Sequence, residues 1–200
     1  MKYILIGVLL LVSLISFGQE QWTTMNISGK LNNDWSVAME GEQRISYSMG
    51  KIRYLHYDFG VIRKINDDLK IGFFYRELYE IKKGIKVNEV RPHIDAFYVV
   101  NKHWKFRIRL EYQDKEITDD VLRFRIRPNY DFKLFKNYDP YVQTELNFTK
   151  DGFTRNRFNA GITINLGKFQ IQPGYVSELL YTNGTFLNTN IVWVNNKINF

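Results

Sequence analysis

Between Trp104 and Leu134, apolar and polar residues alternate almost without interruption. Trp104, Phe106, Ile108, Leu110 and Tyr112 alternate with Lys105, Arg107, Arg109 and Glu111; after a polar loop, Leu122, Phe124, Ile126 and Pro128 alternate with Arg123, Arg125, Arg127 and Asn129. Successive strand side chains point to opposite faces, so this pattern predicts two long strands with one apolar and one charged face. A helix would smear the same residues around its circumference. The alternation recurs along the chain in eleven strand-like runs, with no helical period between them.

The first run, Glu20 to Leu31, is the least regular. Trp35–Tyr47, Tyr54–Ile65, Leu69–Glu80 and Val90–Val100 follow, then the two strands above, then runs beginning near Pro140, Phe158, Phe169 and Phe186. Connections near Asn33, Asp67, Lys102, Lys136 and Lys168 read as short. Those near Gly50, Gly84, Glu116, Gly152 and Gly184 read as longer, and the basic stretch Ile81–Glu89 reads as a loop. The runs are about 10 to 14 residues long, at or above the length a tilted strand needs to cross a bilayer. Transmembrane barrels pair short turns at one rim with longer loops at the other.

The first eighteen residues follow a different rule. Lys2 precedes an almost purely apolar stretch from Ile4 to Ile15, and Ser16-Phe17-Gly18 places small residues where a signal peptidase cuts before Gln19. The expectation is a cleaved signal peptide over residues 1–18 and one domain over residues 19–200. Cleavage would remove one Lys and no acid, lowering the net charge from +7 to +6. The chain has no cysteine, which excludes a disulfide scaffold, a cysteine-zinc protein and a thiol enzyme. The basic residues alternate with apolar ones instead of clustering, which argues against nucleic acid as a partner.

Alternation alone leaves orientation open, because a soluble barrel hides the face that a membrane barrel shows. Export, strand length and aromatics beside the turns (Trp35, Trp104, Phe132, Phe135 and Phe169) point to the membrane. The chain also stops on Phe200, which resembles the sorting signal read by the outer-membrane insertion machinery. The last run mixes two parities, with Leu187, Ile191 and Trp193 against Ile198 and Phe200, so a bulge at Asn195-Asn196 is expected. The fold class that follows is all-β: an antiparallel up-and-down transmembrane β-barrel of about 10–12 strands in the outer membrane of a Gram-negative cell. Even strand numbers are the bacterial rule, so ten or twelve are expected rather than eleven.

Gln21-Trp22-Thr23, the turn Leu31-Asn-Asn-Asp-Trp-Ser36, and Glu40-Gly-Glu-Gln-Arg44 ahead of a tyrosine-rich third strand carry a resemblance over most of the mature chain. They resemble an uncharacterised outer-membrane β-barrel family known only as a domain of unknown function. The resemblance implies a barrel and an outer-membrane address. It implies no activity and no catalytic residue.

If the charged face is the lumen, Arg107, Arg109, Arg123, Arg125, Arg127 and Arg157 form a basic wall, and closure of the sheet is expected to set acids from early and late strands partly across from it. His56-x-Asp58 and His93-x-Asp95, with Arg76 on the strand between them, form a candidate histidine–acid cluster. Three readings of the interior follow. The first is a structural or interaction barrel whose lumen is filled by salt bridges, as a small barrel favours. The second is a small passive pore with a preference for small anions. The third is a lipid-modifying enzyme using the histidines as bases. No serine nucleophile, zinc motif or phosphate loop completes a catalytic set, so the expectation is no enzyme, no cofactor and no metal. Outer-membrane lipid and the insertion machinery are the expected partners. The sequence leaves the oligomeric state open.

Overall fold

A computed structural model describes residues 19–82, 84–116, 119–135, 137–182 and 184–200. The predicted leader over residues 1–18 lies outside the described residues, as do Lys83, Ile117, Thr118, Lys136 and Asn183, which belong to four of the expected connections.

The alternating runs become twelve strands: β1 (Glu20–Lys30), β2 (Trp35–Ser46), β3 (Lys51–Lys64), β4 (Leu69–Lys82), β5 (Ile85–Val90), β6 (His93–Val99), β7 (Trp104–Lys115), β8 (Val121–Asp131), β9 (Tyr138–Thr149), β10 (Gly152–Leu166), β11 (Phe169–Thr182) and β12 (Thr185–Asn199). All join one sheet, in which every stave is paired on both sides, so the sheet is a closed barrel. β5 and β6 both lie between β4 and β7, so they are two halves of one stave, interrupted at Arg91-Pro92. Proline has no N–H for the ladder, which accounts for the interruption.

The barrel therefore has eleven staves, between the two even numbers expected. The odd count has a geometric result. Every pair along the sheet is antiparallel except the closing one, where β1 and β12 run parallel from Glu20↔Ile191 to Ser28↔Asn199. The irregular first run is thus a full stave, paired on both sides.

Three other expectations need correction. The stretch Ile81–Glu89 is not a loop. β4 continues to Lys82, β5 begins at Ile85, and Gly84 stands at a φ of 82°. The contrast between short and long rims also fails, because β9 and β10 leave only two residues between them, as do β11 and β12. Backbone ladders do not require apolar side chains, so these polar ends continue to pair where the pattern reads as loop. Finally, no bulge occurs at Asn195-Asn196. The β11–β12 register is continuous from Phe169↔Ile198 to Thr182↔Thr185, and Ile191 and Trp193 turn inward instead.

Three turns at the rim predicted to carry the short turns (the short-turn rim), whose connections are not in fact the shorter ones, share one construction. The Asn32 side-chain oxygen accepts from the backbone N–H groups of Asp34 and Trp35, at 2.9 Å each. Asn66 does the same for Asp68 and Leu69, and Asn101 for His103 and Trp104. An asparagine side chain that imitates a turn of backbone suits this position.

The apolar parity faces outward. Met39, Tyr57, Phe59, Phe73, Tyr75, Ile108, Leu110 and Phe158 are all exposed on the outside of the wall. Trp35, Trp104, Phe132, Phe135, Tyr138 and Phe169 add exposed aromatics near the short-turn rim. Charged side chains occupy the inside, where Asp95 and Glu111 have no solvent exposure at all. An apolar exterior around a charged interior is the arrangement of a transmembrane barrel, the reverse of a soluble one.

Candidate functional site

Five of the six arginines assigned to the basic wall are held by carboxylates. On β6 and β7, Arg107 and Arg109 both grip Asp95, with Arg109 Nε 2.6 Å from one oxygen and Arg107 Nε 2.8 Å from the other. Arg123 and Arg125 each donate to Glu111, which also has Arg109 at 3.6 Å and Arg91 at 3.8 Å. Arg157 bridges Glu178 at 2.5 Å and Glu145 at 3.1 Å. The partners of this wall come from the same or neighbouring staves. The early acids Glu40, Glu42 and Asp58 are bound to Arg76 and Arg44, rather than lying across from the wall.

The histidine–acid cluster assembles as its spacing suggests. Arg76 sits between Asp58 at 2.6 Å and Glu40 at 3.2 Å. His56 Nε2 lies 3.0 Å from Glu40, and His93 Nε2 lies 3.6 Å from Asp58 and 3.9 Å from Asp95. Glu40 is the member that the His-x-Asp spacing does not reveal, because it arrives from β2. Ligand atoms of Glu40, His56 and Asp58 lie within 4.8 Å of one another, close enough in principle for a metal ion. The guanidinium of Arg76 already contacts both carboxylates and supplies the positive charge there. His56 and His93 are 1 % and 4 % exposed, and His56 borders the lumen cavity.

Followed from residue to residue, these contacts form a closed circuit around the lumen. Glu111 leads through Arg125 to Glu145 at 3.6 Å, and Glu145 to Arg157. The Arg157 guanidinium lies 4.9 Å from the centre of the Trp22 ring, and that ring stacks on Arg44 at 3.8 Å. Arg44 leads to Glu42 at 2.7 Å, then to His56 at 4.0 Å and on to Glu40, Arg76, Asp58, His93, Asp95, Arg109 and back to Glu111. Toward the rim opposite the short turns, buried apolar groups back this diaphragm: Trp22, Tyr54, Leu78, Val176 and Ile191 are each at most 4 % exposed. A water-filled channel would leave its lining accessible, and these side chains are not.

The apolar half of the seal is what alternation conceals. Trp22 shares its parity with Glu20 and Thr24, Val176 with Glu178, and Ile191 and Trp193 with Asn195. The signal available in the sequence is this mismatch: a large apolar residue on an otherwise polar parity.

On the short-turn side of the diaphragm the lumen widens into a vestibule of about 500 Å³. Among the described residues its wall carries ten Arg and Lys against five Asp and Glu. Lys105 is paired with Asp131 at 2.5 Å and Lys133 with Asp139 at 2.6 Å. Arg127, the sixth arginine of the predicted wall, has no ion pair among the described residues, and neither has Lys197. Both line the vestibule.

Beside the basic wall, β3, β4 and β6 turn Ile62, Phe74, Phe97 and Val99 inward, and the Arg107 guanidinium lies 5.3 Å from the centre of the Phe97 ring. Phe74 lies over Gly60 and Gly72 and stacks on His93 with ring centres 5.0 Å apart. A Cβ on Gly60 would stand 2.2 Å from the Phe74 ring and 2.5 Å from the Phe73 carbonyl oxygen. Gly60→Ala should therefore destabilise the barrel by about 1–3 kcal/mol, the usual cost of overpacking. Denaturant unfolding in detergent measures this, and an unchanged midpoint would show that Phe74 moves aside freely.

A closed barrel with an apolar exterior and a charged, largely buried interior defines a transmembrane β-barrel. The chain belongs to the family described as a protein of unknown function, DUF2490, whose model matches residues 19–189. No curated protein matches the sequence. Among solved structures, the NanC porin in a rhombohedral crystal form shares 14 % identity over 82 % of this chain and 86 % of that one, with a TM-score of 0.51. The KdgM porin shares 15 % identity over 76 % and 80 % of the two chains, with a TM-score of 0.48. At such identity the NanC likeness establishes the barrel architecture alone.

Proposed function

We propose that this protein is an integral outer-membrane barrel that does not conduct in its resting state. It serves as a structural or interaction scaffold and presents a basic, blind vestibule at its short-turn rim. The observation that carries this reading is the unbroken circuit from Glu111 through Arg157, Trp22, Arg44, Arg76 and Asp95 back to Glu111. The apolar exterior and the aromatics near one rim support insertion among outer-membrane lipids. No catalytic role is assigned to His56 or His93: both are buried, and one ring nitrogen of each is held in a hydrogen bond, His56 Nε2 with Glu40 and His93 Nδ1 with the Arg91 carbonyl. A lipid-turnover assay comparing wild type with H56A/H93A addresses the enzymatic alternative, which requires turnover that the double variant loses.

The purified barrel should give no steady conductance in planar bilayers at any salt concentration. Discrete conductance steps would overturn the occluded reading. They would favour the second one, an anion-leaning pore, for which the excess of cations on the vestibule wall is the specific argument. Membrane location is checked by fractionation and by heat-modifiable gel mobility. Recovery as a soluble periplasmic protein would contradict it.

A further inference from the structure

The vestibule has two unlike walls. On the first, Arg127 and Lys197 line the cavity with no carboxylate partner among the described residues, although the other cations named above are paired. They reach the same cavity from β8 and β12, and among the charges acting on Lys197 that of Arg127 is the strongest. Two cations without an ion-pair partner in one confined cavity call for an anion. Tyr141 adds a third group. Its hydroxyl lies over Gly161 and Gly174, is buried, and has no hydrogen-bond partner. Arg127 is also the charge that acts most strongly on it.

The second wall is apolar. Phe97 stands in register with Arg107, and Arg107 with Arg127, so the ring lies two staves from the unpaired guanidinium. Phe97 and Val99 border both the main vestibule and a second cavity of about 380 Å³ nearer the mouth. That second cavity is also lined by Ile62, Gly29 and the terminal Phe200. A small inorganic anion would use the cationic end and leave this apolar surface wet. A neutral apolar molecule would leave Arg127 and Lys197 unmatched.

We propose that the vestibule binds an amphipathic organic carboxylate. Its head would lie between Arg127, Lys197 and the Tyr141 hydroxyl, and its apolar body along Phe97, Val99 and Ile62. The cavities together are within the range that encloses a small organic ligand. This deepens the scaffold reading and rests on it in one respect: a blind vestibule retains its ligand, whereas an open pore would pass it.

The test uses the full barrel in lipid nanodiscs, with dansyl-labelled undecanoic acid as the fluorescent probe and empty nanodiscs as background. Undecanoate should displace the probe, while acetate and undecanol should each compete at least about tenfold more weakly, since each lacks one half of the recognition. R127Q/K197Q should weaken undecanoate about 10- to 100-fold, the expected loss of two charged hydrogen-bond donors, while R127K/K197R retains binding. Heat-modifiable mobility establishes that the variants are folded. If the double glutamine variant does not fold, the ranking of undecanoate, acetate and undecanol on the wild type decides. The proposal is overturned by no signal above empty nanodiscs, by acetate or undecanol competing as well as undecanoate, or by unchanged binding in a folded R127Q/K197Q barrel. Conductance of the same preparation separates the two readings. A conducting barrel that binds undecanoate rejects the occluded scaffold and keeps the site, and a silent barrel that ignores undecanoate does the opposite.

Discussion

Glu111→Gln should lower the unfolding free energy by about 3–5 kcal/mol, the cost of leaving buried charges without their partner. Glu111 is fully enclosed and receives Arg123 and Arg125 directly, with Arg91 and Arg109 within 4 Å. The amide that replaces it keeps the shape and loses the charge, so four guanidiniums would repel one another in a site that water does not reach. Asp67→Asn is the natural comparison. Asp67 pairs with Lys64 in an exposed turn, where solvent screens the pair and its loss should be barely measurable. Denaturant unfolding of both variants in the same detergent measures the difference. If the two losses are alike, the guanidiniums around Glu111 are hydrated and the diaphragm is not a seal.

Truncating the apolar part of the diaphragm should have the largest effect on permeation. Trp22 is the only aromatic bridge in the circuit described above, joining Arg157 to Arg44, and Ile191 packs in the same buried cluster. Trp22→Ala combined with Ile191→Ala removes most of that cluster. A large-to-small change at one buried tryptophan costs about 3–5 kcal/mol, so the double variant should be studied at low temperature. It should convert a silent barrel into one with measurable steps in planar bilayers, and the current should favour anions because of the basic vestibule wall. Folded but silent double-variant barrels would place the seal in the ion pairs alone, and Glu111→Gln would then be the variant that opens it.

The sequence shows the staves because the outside of this barrel obeys a simple rule. In β7 and β8 the even residues face out and the odd residues face in, and the parity alone assigns Arg107, Arg109, Arg123 and Arg125 to the interior. His56, Asp58, Arg76, His93 and Asp95 meet because three adjacent staves carry them at matching heights. Their partners are less legible. Glu40 joins from β2, and the unpaired state of Arg127 depends on the positions of every nearby acid. The apolar seal is hidden for a different reason. The parity rule assigns large apolar residues to the outer face, whereas Trp22, Val176 and Ile191 fill space inside. The parallel closing pair is not readable from alternation at all, because it depends on the number of staves and the direction in which the last one runs.

That closing pair determines which side of the membrane each end occupies. With an even number of staves both ends of a barrel emerge at the same face. Here β1 and β12 both run toward the short-turn rim, so Gln19 lies beside Asn190 and Tyr47 at one rim while Phe200 lies beside Ser28 at the other. The first and last described residues are separated by the full thickness of the bilayer. If the short turns face the periplasm, Gln19 looks outward from the cell. In that orientation the N-terminal end of β1 must be carried across the membrane before the barrel can close.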